Sequence, residues 1–285
     1  MKTTAFKIKK ILIPLDLSDN SLLALEHGTF MARLFKADLV LVHVIETLVL
    51  RADLGKFSPL ERKNAVQIVQ QRLEEIAHDV KIKHGVKAHV CVKEGKIAPM
   101  IREAGDEFGV ELIVMGTHGV SGFEEFFMGS NAYRVVTEAH CPVLTVQKHA
   151  TKPGFQNILL PIDSSDATLE KVRYASELAK KYNAKITILG ILSFNDEDVD
   201  EKMERRLEQV EKYLDKKEVM FESLVVEGDN LASVTLKQAK KLKADLICIM
   251  TEQEENLTGL FMGPFAQQVV NHSRIPVLSI KPMVE

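Results

Sequence analysis

Short apolar runs alternate along the chain with segments whose apolar positions recur every three or four residues. Apolar runs at 11–15, 39–44, 88–92, 112–115 and 142–146 predict five buried strands. The segment after the first run predicts a helix whose buried face carries Leu22, Leu25, Thr29 and Ala32. Further helices are predicted at about 60–84, around 99–108 and from Asn131 onward. Strands that alternate with helices favour a parallel sheet covered on both faces.

The second half of the chain repeats this pattern. Pro161 stands in the place of Pro14, an offset of 147 (161 − 14), and the offset holds through the second predicted strand. It then settles at 134 (263 − 129), where Gly263 stands in the place of Gly129. A period of about half the chain, with one strand-and-helix set per copy, predicts two similar domains. We place them at residues 1–148 and 153–285, joined by a linker at 147–156.

Composition and charge narrow the class of protein. A net charge of −3 over 285 residues gives no general attraction to nucleic acid or to an anionic membrane surface. The longest apolar runs fall well short of the ~20 residues of a membrane span. We therefore expect a cytoplasmic protein. Its three cysteines are scattered and lie in apolar stretches, which predicts buried, reduced thiols in place of disulfides.

A glycine-spaced loop follows the fourth predicted strand. It comprises Met115, Gly116, Gly119, Gly129, Ser130 and Asn131. Ser130 is expected at the helix N-cap, where its hydroxyl is available to a backbone N–H or to a ligand oxygen. A helix start presents unpaired N–H groups, and glycines let the backbone approach an anion closely. The loop suits a phosphate group, although glycine spacing by itself also fits an ordinary strand-to-helix turn.

The motif Gly-x2-Gly-x9-Gly-Ser after the fourth strand, with Pro-x-Asp after the first, resembles the universal stress protein family. The resemblance covers nearly the whole chain, as two tandem copies. It implies two five-stranded parallel-sheet α/β domains of the Rossmann-like, adenine nucleotide α-hydrolase-like class, related by a pseudo-twofold axis. It also implies that the edge strands 142–146 and 276–280 pair with each other, an internal pseudo-dimer that leaves a further homodimer open.

The resemblance further implies that the first copy binds one ATP, with magnesium or manganese helping to neutralise the phosphates. Asp16 would contact the nucleoside, with a turn acid as its alternative role, and the backbone of Val44 would bind adenine. His118 would make a minor contact to ribose or phosphate. The full predicted set is Pro14, Leu15, Asp16, Val44, Met115, Gly116, His118, Gly119, Gly129, Ser130 and Asn131.

The second copy departs from this motif. Met250, Gln253 and Pro264 replace the first two glycines and the serine, and Gly263 alone is kept. A side chain at Met250 would occupy space where the backbone should approach phosphate, and proline removes an N–H from the helix start. We therefore expect no nucleotide in the second domain and one ATP per chain.

Three functions remain open from the sequence. The first is an ATP-binding stress-response protein that hydrolyses ATP slowly at most. The second is a nucleotide-independent scaffold that binds a protein partner. The third is an adenine-nucleotide hydrolase, which the sequence disfavours because it lacks the Ser-Gly-Gly-x-Asp-Ser loop and shows no nucleophile beside a base. The retained loop from Gly116 to Ser130 favours the first.

Overall fold

The computed structural model describes residues 7–46, 59–117, 128–163, 168–192, 197–251 and 262–282. The chain divides into two compact units, Lys7–Lys152 and, from Pro153 on, the second half of the chain. We call them the first and second domains. No helix in the described part of the chain is long and apolar enough to cross a membrane.

The first domain is an α/β unit built on a five-stranded sheet. Its elements are β1 (Lys10–Pro14), α1 (Asp19–Phe35), β2 (Asp38–Glu46), α2 (Pro59–His84), β3 (Ala88–Gly95), α3 (Ile97–Phe108), β4 (Leu112–Gly116), α4 (Ser130–Glu138) and β5 (Val143–Val146). All strands are parallel, in the order β3-β2-β1-β4-β5. The strand order therefore reverses beside β1, and in open sheets such a reversal opens a crevice at the carboxyl ends of the strands.

The second domain has the same topology. Its elements are β6 (Asn157–Ile162), α5 (Thr168–Tyr182), β7 (Lys185–Leu192), α6 (Glu197–Lys216), β8 (Phe221–Glu227), α7 (Leu231–Lys241), β9 (Leu246–Met250), α8 (Pro264–His272) and β10 (Val277–Ile280). The parallel order is β10-β9-β6-β7-β8. The predicted fold of two five-stranded parallel-sheet domains is therefore confirmed, whereas the pairing of their edge strands stays a prediction.

The core of each domain lies on the central strands. Ile11, Leu12 and Ile13 are completely buried, as expected for a parallel strand covered by helices on both faces. The face of α1 that meets the sheet was predicted only in part, because Leu22 is exposed. The helix approaches the sheet closely at Gly28, where a Cβ would lie 2.4 Å from Ile13 Cδ1 and would force that side chain to shift.

The three cysteines form no disulfide. Only Cys248 is fully buried, whereas Cys91 and Cys141 are partly exposed, so the expectation of three buried thiols was wrong for two. Burial raises the pKa of the Cys141 and Cys248 thiols to about 12, and both are therefore protonated and unreactive at neutral pH.

Candidate functional site

The crevice of the first domain opens where β1 ends and β2 continues. Pro14 pairs with Val42, and β2 runs on for four more residues (46 − 42) to Glu46. Backbone groups of β2 alternate in direction: Asp38 N donates to Lys9 O beside β1, and Leu39 N donates to Lys87 O beside β3, each over 2.8 Å. Even-numbered residues of β2 therefore face β1.

Val44 is the even-numbered residue that lies just beyond the end of β1. Its peptide N–H and C=O consequently point into the gap that β1 has left, and neither has a hydrogen-bond partner within the described residues. The last ladder bond before the gap is that from Leu15 N to Val42 O, 2.8 Å long. One donor and one acceptor thus lie side by side at the mouth of the crevice.

Gly116 closes the opposite side of the same gap. The amides of Ile113 and Thr117 donate to the β5 side, to Pro142 O and Val146 O over 3.0 and 3.2 Å, so the alternation turns Gly116 toward β1. A Cβ on this glycine would lie 3.0 Å from the backbone oxygen of Asn20. The first turn of α1 therefore packs directly onto the glycine backbone.

This contact gives Gly116 a packing role in addition to the approach to phosphate that the sequence suggested. Gly116 does not adopt a positive φ, so the residue is not required for backbone freedom. Glycine instead suits the close approach of α1 to β4, where a Cβ would force the first turn of α1 to shift.

Asp16 lies on the turn that leads from β1 into α1. Its Oδ1 accepts from the Ser18 amide over 3.0 Å and from the Ser18 hydroxyl over 2.6 Å. Leu17 between them adopts a left-handed φ of 65°. Ser18 Oγ in turn accepts from Ser21 N over 3.3 Å and caps α1. The alternative role of Asp16 as a turn acid is thus seen in the structure, and its carboxylate is exposed at the mouth of the crevice.

The loop after β4 is closed at its base by one hydrogen bond, from Gly129 N to Thr117 O over 2.9 Å. Gly129, not Ser130, is the N-cap of α4, so the predicted cap was wrong by one residue. Ser130 is the first helical residue, and its side chain is exposed. The amides of Ser130 and Asn131 have no partner within the described residues, and they carry the partial positive charge of a helix start.

The carboxyl edge of the first sheet therefore gathers nine of the predicted site residues: Pro14, Leu15, Asp16, Val44, Met115, Gly116, Gly129, Ser130 and Asn131. The side chains of Leu15 and Met115 are buried, which leaves their backbones as the groups near the crevice. His118 and Gly119 lie outside the described residues.

Sequence reasoning missed one residue of this crevice, His43. Its Nδ1 donates to the carbonyl oxygen of Leu15 over 2.6 Å. The signal was present as a single polar residue within the apolar run 39–44.

The equivalent region of the second domain differs in burial and in strand pairing. Met250 and Ile191, which stand in the places of Gly116 and Val44, are 1% and 5% exposed. The ladder between β6 and β7 also includes one more residue pair, Ile162 with Gly190, than the ladder between β1 and β2. Backbone groups that are open in the first domain are therefore covered in the second.

A buried lysine is a further difference between the two domains. Lys171 stands in the place of Ala24 (171 − 147) and is 1% exposed. Its Nζ lies 3.5 Å from Oδ2 of Asp163, whose Oδ1 accepts from the Thr168 hydroxyl over 2.8 Å. Burial lowers the pKa of Lys171, and the neighbouring Asp163 opposes that shift. Asp163, which stands in the place of Asp16, is thus already paired with Lys171 and Thr168 of its own domain.

The base of the loop is nevertheless the same in both domains. Gly263 N donates to Thr251 O over 2.8 Å, and α8 begins at Pro264 as α4 begins at Ser130. Proline has no N–H, so the second helix start offers one donor fewer. The closure of the loop therefore requires neither Gly116 nor Ser130.

The model of the universal stress protein family matches the chain twice, over residues 7–147 and 154–281. The chain belongs to this family. A universal stress protein of Methanocaldococcus jannaschii is 37% identical over 147 residues, which cover 49% of this chain and 82% of the relative. One of Mycolicibacterium smegmatis is 23% identical over 292 residues and covers 95% of this chain and 97% of its own.

Solved structures of universal stress proteins share the tandem fold. The crystal structure of one from Archaeoglobus fulgidus matches with a TM-score of 0.77 over 97% of each chain, at 21% sequence identity. This likeness extends over both domains and confirms the Rossmann-like, adenine nucleotide α-hydrolase-like fold class of the universal stress protein described here.

Proposed function

We propose that this universal stress protein is an ATP-dependent stress-response module whose first domain binds one adenine nucleotide. The observation that carries the proposal is the pair of open peptide groups on Val44, which face a gap in the sheet. The amino edge of adenine presents an acceptor next to a donor, and this matches an N–H beside a C=O on one strand.

The rest of the nucleotide follows from the geometry of the crevice. The exposed carboxylate of Asp16 suits the ribose hydroxyls, and the open amides at the start of α4 suit the phosphates, with Ser130 Oγ as a further donor. Gly116 lets the first turn of α1 lie close to β4 beside this crevice. Within the described residues, no cluster of His, Cys, Asp or Glu is arranged to hold a metal, so magnesium or manganese would arrive with the phosphates.

ATP occupancy, in this proposal, selects the conformation or the partner of the protein. In this proposal the protein hydrolyses ATP slowly at most. In this proposal the second domain takes no nucleotide, because Met250 and Pro264 replace Gly116 and Ser130 and its strand ladder is longer by one pair.

The proposal is tested by exchanging one residue between the domains. Ser130→Pro removes an N–H and a hydroxyl from α4, while proline at the first helical position preserves the helix. Losing hydrogen bonds to a charged oxygen at about 1.5–3 kcal/mol each should weaken ATP binding at least tenfold by calorimetry. Pro264→Ser is the matched control, which should leave affinity and a stoichiometry of one ATP per chain unchanged.

Two results would contradict the proposal. Unchanged ATP affinity in Ser130→Pro would show that the phosphates of ATP do not bind at the start of α4. Absence of ATP binding by the unaltered protein, with no adenine nucleotide released on denaturation and detected by mass spectrometry, would leave the nucleotide-independent scaffold as the better function.

A further inference from the structure

The carbonyl group of Leu15 is bonded in an unusual way for the end of a parallel strand. The Leu15 amide donates to Val42 O over 2.8 Å, so the Leu15 carbonyl points to the same side, toward β2. In a regular parallel ladder that carbonyl would next accept the N–H of Val44. It accepts instead from Nδ1 of His43 over 2.6 Å, and the ladder stops at the pair Pro14 and Val42.

The hydrogen bond also fixes the protonation of the imidazole. A carbonyl oxygen can only accept, so Nδ1 of His43 must carry a proton. The imidazole thus replaces a backbone donor by a side-chain donor, at the acceptor that a continuing ladder would give to Val44.

The second domain shows the outcome without an imidazole. Gly190 stands in the place of His43, and there the ladder continues by one pair, Ile162 with Gly190. In a parallel ladder such a pair uses the following amide, that of Ile191, as its donor. Ile191 stands in the place of Val44 and is buried.

We propose that His43 is a positioning residue that keeps the Val44 N–H available to the adenine base. By satisfying the Leu15 carbonyl, it prevents β1 and β2 from closing by one further pair. This inference rests on the proposed nucleotide site for its ligand, whereas the open state of the Val44 amide is a property of the ligand-free protein and can be measured separately.

The test uses three variants of the full chain and two measurements. His43→Gly copies the second domain, and His43→Asn retains an N–H donor at the position of Nδ1. Ser130→Pro is the control that acts at the phosphates. Amide hydrogen exchange reports the protection factor of Val44 N–H without ligand, and calorimetry reports the affinities for adenosine and for ATP.

We expect His43→Gly to raise the protection factor of the Val44 amide at least tenfold. The affinities for adenosine and for ATP should each fall by a similar factor of about ten. His43→Asn should retain the values of the unaltered protein. Ser130→Pro should weaken the binding of ATP and leave the affinity for adenosine and the protection of the Val44 amide unchanged. A merely structural role for His43 would lower the protection of the strand as a whole and would not be restored by asparagine.

The two proposals fail separately. If the unaltered protein binds neither adenosine nor ATP, the proposed function is wrong. The role of His43 is still supported in that case if the Val44 amide is unprotected in the unaltered protein and protected in His43→Gly. A Val44 amide that is already protected in the unaltered protein, or that His43→Gly leaves unchanged, overturns the inference.

Discussion

Gly116→Ala offers a sensitive test of how α1 packs against the crevice. The substitution adds one methyl group to a residue whose φ is not positive, so alanine can adopt the backbone conformation. The expected Cβ lies 3.0 Å from Asn20 O and 3.1 Å from both Asn20 C and Asn20 Cβ. Two of these three atoms belong to the backbone of the first turn of α1 and cannot rotate away.

The magnitude follows from the overlap. Ordinary contacts of a Cβ begin at about 3.4 Å, so the first turn of α1 must move by about 0.4 Å (3.4 − 3.0). Overpacking of this kind costs about 1–3 kcal/mol. Alanine recovers about 0.4–1 kcal/mol by restricting the unfolded chain. We therefore expect the first domain to lose up to about 2.6 kcal/mol (3 − 0.4) of unfolding free energy.

The assay is scanning calorimetry of the full chain, with Gly105→Ala as the matched control. In a domain of this size, each kcal/mol lowers Tm by roughly 2–4 °C. Gly105 lies buried in α3, and a Cβ there would meet Val110 Cγ2 at an ordinary 3.5 Å. Alanine at that helical position should therefore stabilise the domain by up to about 1 kcal/mol.

The two substitutions are thus expected to change the unfolding free energy in opposite directions. ATP affinity should also fall at least tenfold in Gly116→Ala alone, because the displaced turn carries Asp16 and Ser18. If both variants were equally stable, the close approach of α1 to β4 would be refuted.

Three further outcomes can be measured by thermal unfolding. Ser18→Ala removes the cap of α1 and one anchor of Asp16, and should cost about 1 kcal/mol. Burial lowers the pKa of Lys171 below 10.5, so below that pH the unfolded chain binds more protons than the folded chain. The second domain should therefore gain stability as the pH rises toward 10.5. Lys171→Met should lack this gain. Burial likewise lowers the pKa of His27 below 6.5, although its bond to Ala150 O (2.7 Å) opposes the shift. The first domain should therefore lose stability as the pH falls below about 6.5. His27→Gln, which retains an N–H donor but does not titrate, should show a smaller loss.

The strands could be predicted from the sequence because burial on both faces demands continuous apolar runs, which are visible without a structure. The start of α4 could not, because the favoured capping residue Ser130 follows Gly129. The chain places its cap where the loop closes on Thr117 O, and a Cβ on Gly129 would lie only 3.3 Å from that oxygen. The geometry of closure, not the capping preference of a hydroxyl, decides the position.

The roles of His43 and Lys171 could not be predicted for a related reason. Each depends on which backbone or side-chain group lies opposite after folding. A lysine in an amphipathic helix is normally exposed, and its head group usually reaches water. Alignment of the two copies did place Lys171 on the buried position of Ala24, and this mismatch was the one available signal.

The shared base of the two loops has a consequence for engineering and for descent. Each domain clamps its loop between a threonine carbonyl and a glycine amide, at 2.9 Å for Thr117 with Gly129 and 2.8 Å for Thr251 with Gly263. Eleven residues separate the clamp residues in each copy (129 − 117 − 1 and 263 − 251 − 1). The enclosed segments are therefore equal in length. We expect that evolution, or the design of a chimaera, can replace the residues between the threonine and the glycine of one domain without a change in the sheet.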